Sequence, residues 1–223
     1  MSGRRQGFTL LELMLAITIL AAVSGVSYMA FSTVTRAWKR GQALTDAIHH
    51  GDYVLDQLVM ALRSAYFPDA PRAKGYGLQV TDESDGPNAD DRISWVKLGG
   101  ALVGQNCPFA DSPHRIEFTV KDHEGQRQVA VKAWRILGQP EDFDPSEELF
   151  TFLSRRVTGF DCRCALKLDG KDIDWEDEWE DDNTNKLPKY VELTLYLTPV
   201  DEGREPVELK RIVELPAAPL SWH

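Results

Sequence analysis

The sequence predicts an α+β fold in which one long N-terminal helix is followed by antiparallel β-sheets, and three observations predict it. Residues 8 to 28 form a nearly uncharged apolar run. Beyond it, apolar residues recur at helical spacing as far as residue 62, and after Pro68 and Pro71 the period changes from 3.6 to 2. The alternating segments that follow are joined by short connections, which favour antiparallel neighbours.

The apolar run, FTLLELMLAITILAAVSGVSY, holds 21 residues and one charge, Glu12. As a helix rising about 1.5 Å per residue it is about 30 Å long, the thickness of a bilayer's hydrocarbon core. Arg4 and Arg5 precede it and an acidic chain follows, so the positive-inside rule predicts a cytoplasmic N-terminus and a C-terminal head on the far side. A secretory signal peptide has a shorter apolar core, about 7 to 15 residues, followed by a small-residue cleavage site, which Ala21 and Ala22 do not supply. A plain anchor leaves Glu12 unexplained, because a carboxylate at mid-membrane costs about 2.5 to 3.5 kcal/mol, and less near a helix end. Cleavage after Gly7 would create a new amino terminus at Phe8, one helical turn from Glu12, as a positive partner on the same or a neighbouring chain.

The helix is predicted to continue. Phe31, Val34, Trp38, Leu44, Ile48, Leu55, Leu58 and Leu62 follow at helical spacings, with Lys39, Arg40, Asp46, Asp52, Asp56 and Arg63 on other faces. The result is one helix of about 55 residues and about 80 Å, its lower half in the bilayer and its upper half against a head. Gly25, Gly41 and Gly51 are either weak points, each costing about 1 kcal/mol against Ala, or small residues for close packing. Strands are predicted at 76–81, 92–98, 115–121, 128–136, 190–197 and 207–213, with a hairpin turn across Asp122 to Arg127. The stretch 147–156, EELFTFLSRR, reads as a short strand entering RRVTGF, and the residues from Pro216 read as a tail.

Composition excludes several functions. With 35 acids against 25 bases the net charge is −10, which argues against a partner bound through nucleic-acid phosphates. Three cysteines are too few for a disulfide-stapled miniprotein or a four-ligand zinc site. No HExxH, GxSxG, P-loop or GxGxxG is present, and His49, His50, His114, His123 and His223 are scattered, as expected of surface residues. The acidic segment Asp172 to Asn183 suggests calcium, but it lacks the turn glycine and ligand spacing of a calcium loop and reads better as a solvated face. Trp175 and Trp179, four apart, would share a face of a helical turn and dock against the protein's own sheet or a partner. Cys162 and Cys164 are expected to point to opposite strand faces, so that a bond between them would be strained, and a bridge from Cys107 to one of them is the preferred pairing.

The leader MSGRRQ followed by GFTLLE resembles the processing site of type IV prepilins and pseudopilins. The resemblance implies cleavage by a prepilin peptidase between Gly7 and Phe8, N-methylation of Phe8, and use of Glu12 in subunit assembly. Removing residues 1–7 takes away Arg4 and Arg5 and leaves 23 bases against 35 acids, a net charge of −12.

The distal order Leu153-Ser-Arg-Arg-Val-Thr-Gly-Phe160, then Trp175 and Trp179, then Leu187-Pro-Lys-Tyr-Val-Glu-Leu-Thr-Leu195, resembles minor pseudopilin J of type II secretion systems. It departs from that family in the Cys162-Arg-Cys164 insertion and the very acidic loop. The resemblance implies a pilin-like fold and a structural subunit without enzymatic activity, metal or cofactor. It divides the chain into a leader (1–7), a transmembrane part of the helix (8–28), a periplasmic part (29–66) and a periplasmic β-rich head (67–223). The implied partners are minor pseudopilins I and K, in some systems H, the major pseudopilin, the inner-membrane assembly platform, prepilin peptidase and secreted proteins. Two other readings are a minor pilin of a type IV pilus or competence system, which would share everything up to Phe31, and a membrane-anchored periplasmic enzyme or binding domain.

Overall fold

The computed structural model describes residues 9–68, 75–104, 106–166, 173–179, 187–200, 203 and 205–217. Among the described residues it has one α-helix, α1 (Leu10–Arg63), of 54 residues. Eight strands follow among the described residues: β1 (Gln79–Thr81), β2 (Arg92–Lys97), β3 (His114–His123), β4 (Gln126–Arg135), β5 (Thr151–Ser154), β6 (Val157–Ala165), β7 (Tyr190–Leu197) and β8 (Val207–Glu214). The strands form a five-stranded sheet ordered β1-β2-β3-β4-β5 and a three-stranded sheet ordered β6-β7-β8, all with antiparallel neighbours. This is the expected α+β, pilin-like arrangement of a long N-terminal helix and antiparallel sheets.

Contacts divide the chain into two units, Met1–Thr45 and Asp46–His223. In the first unit α1 is an uncovered helix: Phe31, Val34 and Trp38 are exposed, although their spacing resembles that of a core stripe. The buried residues of α1 begin at Ala47, and Val54, Leu55, Leu58, Ala61 and Leu62 complete its core face inside the second unit. There Trp95 Nε1 donates to the Ala61 carbonyl at 3.1 Å and fastens β2 to the helix. On the other sheet Arg211 of β8 meets Asp52 at 3.5 Å and Asp56 at 2.5 Å. Gly51 is a packing glycine. A Cβ there would lie 2.6 Å from both Leu197 Cδ2 and Leu209 Cδ1, whereas Gly25 and Gly41 have nothing within 4 Å of that position.

Most strands lie where alternation placed them; β7 coincides with its predicted span, and β1 is shorter. The β3–β4 hairpin closes on Glu124 and Gly125, both at positive φ (53° and 76°), as a tight two-residue turn requires. The short strand expected within 147–156 forms at Thr151–Ser154, and Val157–Ala165 is a further nine-residue strand that the alternation did not mark. One expectation is corrected: the short link Arg155-Arg156 does not join paired neighbours, because β5 belongs to one sheet and β6 to the other.

Several features tie the sheets together. Phe118 of β3 and Phe160 of β6 pack edge to face with centroids 4.8 Å apart. Residues Ala89 to Asp91, just before β2, pair with β6: the Phe160 amide donates to the Ala89 carbonyl at 2.8 Å and the Asp91 amide to the Phe160 carbonyl at 3.2 Å. A strap spanning residues 173–179 crosses both edges, bridging Cys164 through Glu176 and Val80 through Trp179.

Candidate functional site: the helix N-terminus and the head surface

Gly7 and Phe8 lie outside the described residues. Thr9 caps the helix. The Leu13 amide donates to the Thr9 carbonyl at 3.2 Å and the Glu12 amide to Thr9 Oγ1 at 3.3 Å. Thr9-Leu-Leu-Glu12 thus has the T-x-x-E spacing of a capping box, with the acid in the first turn, where the helix macrodipole favours negative charge. That placement lowers the cost of Glu12 locally and leaves its carboxylate exposed for another positive group.

The helix beyond Glu12 is built for an apolar surrounding. One 18-residue window has a mean hydropathy of 2.1 and none of it is buried within the chain. Several of its hydroxyls bond the helix's own carbonyls: Thr18 Oγ1 donates to the Leu15 carbonyl at 2.8 Å, and Thr33 and Thr35 donate four residues back at 2.9 Å each. Such bonds lower the helix's demand for water, and the helix fits a single membrane anchor.

In the head the remaining candidates separate. All three cysteines are free thiols. Cys107 is half-buried in the loop before β3, whereas Cys162 and Cys164 are buried in β6. The expectation that Cys162 and Cys164 point to opposite faces is corrected: residues two apart on a strand share a face, and both enter the core. Burial, with Cys164 beside it, pushes the Cys162 thiol well up, so it is a poor nucleophile. Trp175 and Trp179 do not share a helical face either, because the strap is extended. Trp179 is buried in the core, and Trp175 is half-buried with the Arg163 guanidinium 5.7 Å over its ring.

Asp172 and residues 180–183 of the acidic segment lie outside the described residues. Among the described residues no group of three His, Cys, Asp or Glu is gathered to hold a metal. His223 is likewise undescribed, and the reading of the histidines as surface residues is corrected at His114, which is fully buried. Its Nδ1 donates to the Ser112 carbonyl at 2.8 Å, which leaves Nε2, 3.4 Å from Lys97 Nζ, as the acceptor. Burial drives the His114 pKa down and that of the fully buried Lys97 down to about 8. His50 Nε2 meets Ser154 Oγ at 2.9 Å, and His123 stacks on Phe152 at 4.0 Å.

The composition gives no signal for Asp91, a buried acid where the sheets meet. Its Oδ2 accepts from the Cys162 amide at 2.9 Å and its Oδ1 from the Glu83 amide at 3.3 Å. Burial pushes this carboxyl up to about 6; the two amides pull it down, and Asp161 and Asp82 push it further up. The arrangement is a structural latch between sheets.

Residues 2–28 match the model of the prokaryotic N-terminal methylation motif. The chain therefore carries a type IV pilin-like prepilin signal, over the same residues that open the uncovered helix. No curated protein matches the chain.

Proposed function

We propose that the chain is a structural minor pseudopilin of a type II secretion system, related to minor pseudopilin J. In this reading it belongs to the tip complex that initiates a pseudopilus and supports secretion of folded proteins across the outer membrane. The observation that carries the pseudopilin reading is the methylation motif at residues 2–28, continuous with an apolar helix that its own head leaves bare. The narrower assignment to J is supported by the distal pattern. Its two strand-forming segments are neighbours in the fold, with Phe160 opposite Leu195 in the β6–β7 pair.

Prepilin peptidase cuts after Gly7 and methylates Phe8, and the helix then leaves the inner membrane to pack among other helices, with Glu12 paired to a Phe8 amine. The N-terminus faces the cytoplasm before processing, and the β-rich head stands in the periplasm. There it meets minor pseudopilins I and K, and H where present.

Copurification of the full-length chain from detergent-solubilised membranes with the neighbouring candidate I and K proteins tests this. A stable stoichiometric complex is the expected outcome. Failure to bind folded I and K would remove the J assignment and put the minor pilin of a type IV pilus or competence system first.

A further inference from the structure

Charge is unevenly distributed along α1. Between Glu12 and Asp46 the chain has no acid, and its bases there are Arg36, Lys39 and Arg40, all exposed. Residues three and four apart are neighbours on a helix, so Lys39 and Arg40 flank Arg36 on one face, with Cβ atoms about 5 to 6 Å apart. Phe31, Val34 and Trp38 take the opposite face. Arg36 donates from Nε to the Ser32 carbonyl at 3.3 Å and from Nη2 to Ser32 Oγ at 3.2 Å, which turns the guanidinium toward the apolar stretch and leaves N–H groups for other acceptors. Among the described residues neither Arg36 nor Lys39 meets a carboxylate. Like charges at this spacing repel, and an anion between them removes that cost.

The level of this patch along the helix says which anion fits it. Residues 13–35 are uncharged, so Arg36 is the first charge after Glu12 and stands about 36 Å from it along the helix axis. A bilayer's hydrocarbon core is about 30 Å thick, and the bilayer with its headgroups about 40 to 45 Å. With the uncharged stretch in the core, Glu12 therefore lies in one headgroup layer and Arg36 and Lys39 in the other. Trp38, also exposed, falls in that second layer, where interfacial aromatic residues concentrate.

We propose that Arg36 and Lys39 bind the phosphate of an anionic phospholipid in the leaflet at the C-terminal end of the span, with Arg40 adding to the positive field. The guanidinium and the ammonium donate charge-assisted hydrogen bonds to phosphate oxygens, and their long apolar stems let both heads settle at headgroup depth. A zwitterionic headgroup is the poorer partner, because its own ammonium is repelled by the same face. An acidic protein surface has the right charge but gives no reason for the patch to lie one core thickness beyond Glu12. The bound lipid fixes the depth of the helix in the bilayer. The proposal rests on the reading of α1 as a membrane anchor and is independent of the machinery that the chain serves.

The test uses the full-length chain reconstituted in phosphatidylcholine vesicles that contain a trace of phosphatidylglycerol or phosphatidylcholine spin-labelled on the acyl chain. Electron spin resonance reads the fraction of each label that the protein immobilises. The expected result is a preference for phosphatidylglycerol at low salt that falls several-fold in the Arg36→Gln, Lys39→Gln double variant and survives in Arg36→Lys, Lys39→Arg. Arg4 and Arg5 are present throughout, so the difference between variants reads this patch alone. Immobilised phosphatidylcholine shows that a variant is inserted. The proposal is overturned, with the anchor reading intact, if the native chain immobilises both lipids equally or if the double Gln variant keeps the full preference. Loss of cross-linking between differently tagged copies in that variant, with lipid preference unchanged, would assign the patch to an acidic protein surface and overturn it also. If neither lipid is immobilised, the anchor reading falls and the proposal with it.

Discussion

At the scale of single residues, Asp91 and the cysteines show how burial redirects chemistry. Asp91 holds two amides that would otherwise be unsatisfied, yet its burial disfavours the charge that holds them. Its pKa rises from the ordinary carboxylate value to about 6 on folding, so the folded state binds the proton more tightly. Stability from this group is therefore greatest below about pH 4 and is lost as the pH climbs through 6. Melting temperature measured against pH should show this rise toward acid. Asp91→Asn should flatten its share of the slope between pH 4 and 6 while costing about 1 to 3 kcal/mol, because an amide offers a single acceptor to two donors. The thiols give a second expectation. In the native chain a polar thiol reagent should label Cys107 and spare Cys162 and Cys164 until denaturant is added, as counted by intact mass. Loss of Cys107 reactivity with a mass two hydrogens lower would instead reveal the bridge that the sequence suggested.

At the scale of elements, the strap at 173–179 does the work of a strand with only two bridging residues. Four main-chain hydrogen bonds of 2.8 to 3.0 Å hold it to β6 and β1, and Trp179 anchors it in the core. Trp179→Ala should cost about 3 to 5 kcal/mol and speed hydrogen exchange at the Val80 amide. Trp175→Ala, which loses a half-exposed ring under Arg163, should cost about 1 kcal/mol and leave that amide protected. Equilibrium denaturation with exchange mass spectrometry checks both. The sequence placed both tryptophans against the protein's own sheet, which holds for Trp179, but it did so through a helical turn that does not form. A spacing of four says nothing about segments whose main chain is satisfied by other strands. Similarly β6 was hard to read, because Gly159, Asp161 and Arg163 interrupt the β-branched residues that usually mark a strand, and its buried side chains include two cysteines.

At the scale of the whole molecule, local rules determined the helix, its start, its length and its apolar character. A membrane-length run with T-x-x-E at its head needs no distant residue to specify it. The alternation of β2, β3, β4, β7 and β8 was legible for the same reason, since a period of two is written in consecutive residues. The candidate N-terminal site belongs to this legible class, being a contiguous motif. The tertiary structure alone decided the division into two sheets, the end of the bare helix at Ala47, the fit of Gly51 against Leu197 and Leu209, and the burial of Asp91, Lys97 and His114. Each depends on surfaces brought together from far along the chain. Their cost is set by desolvation and packing in the assembled core, and neither is encoded in any short window of residues.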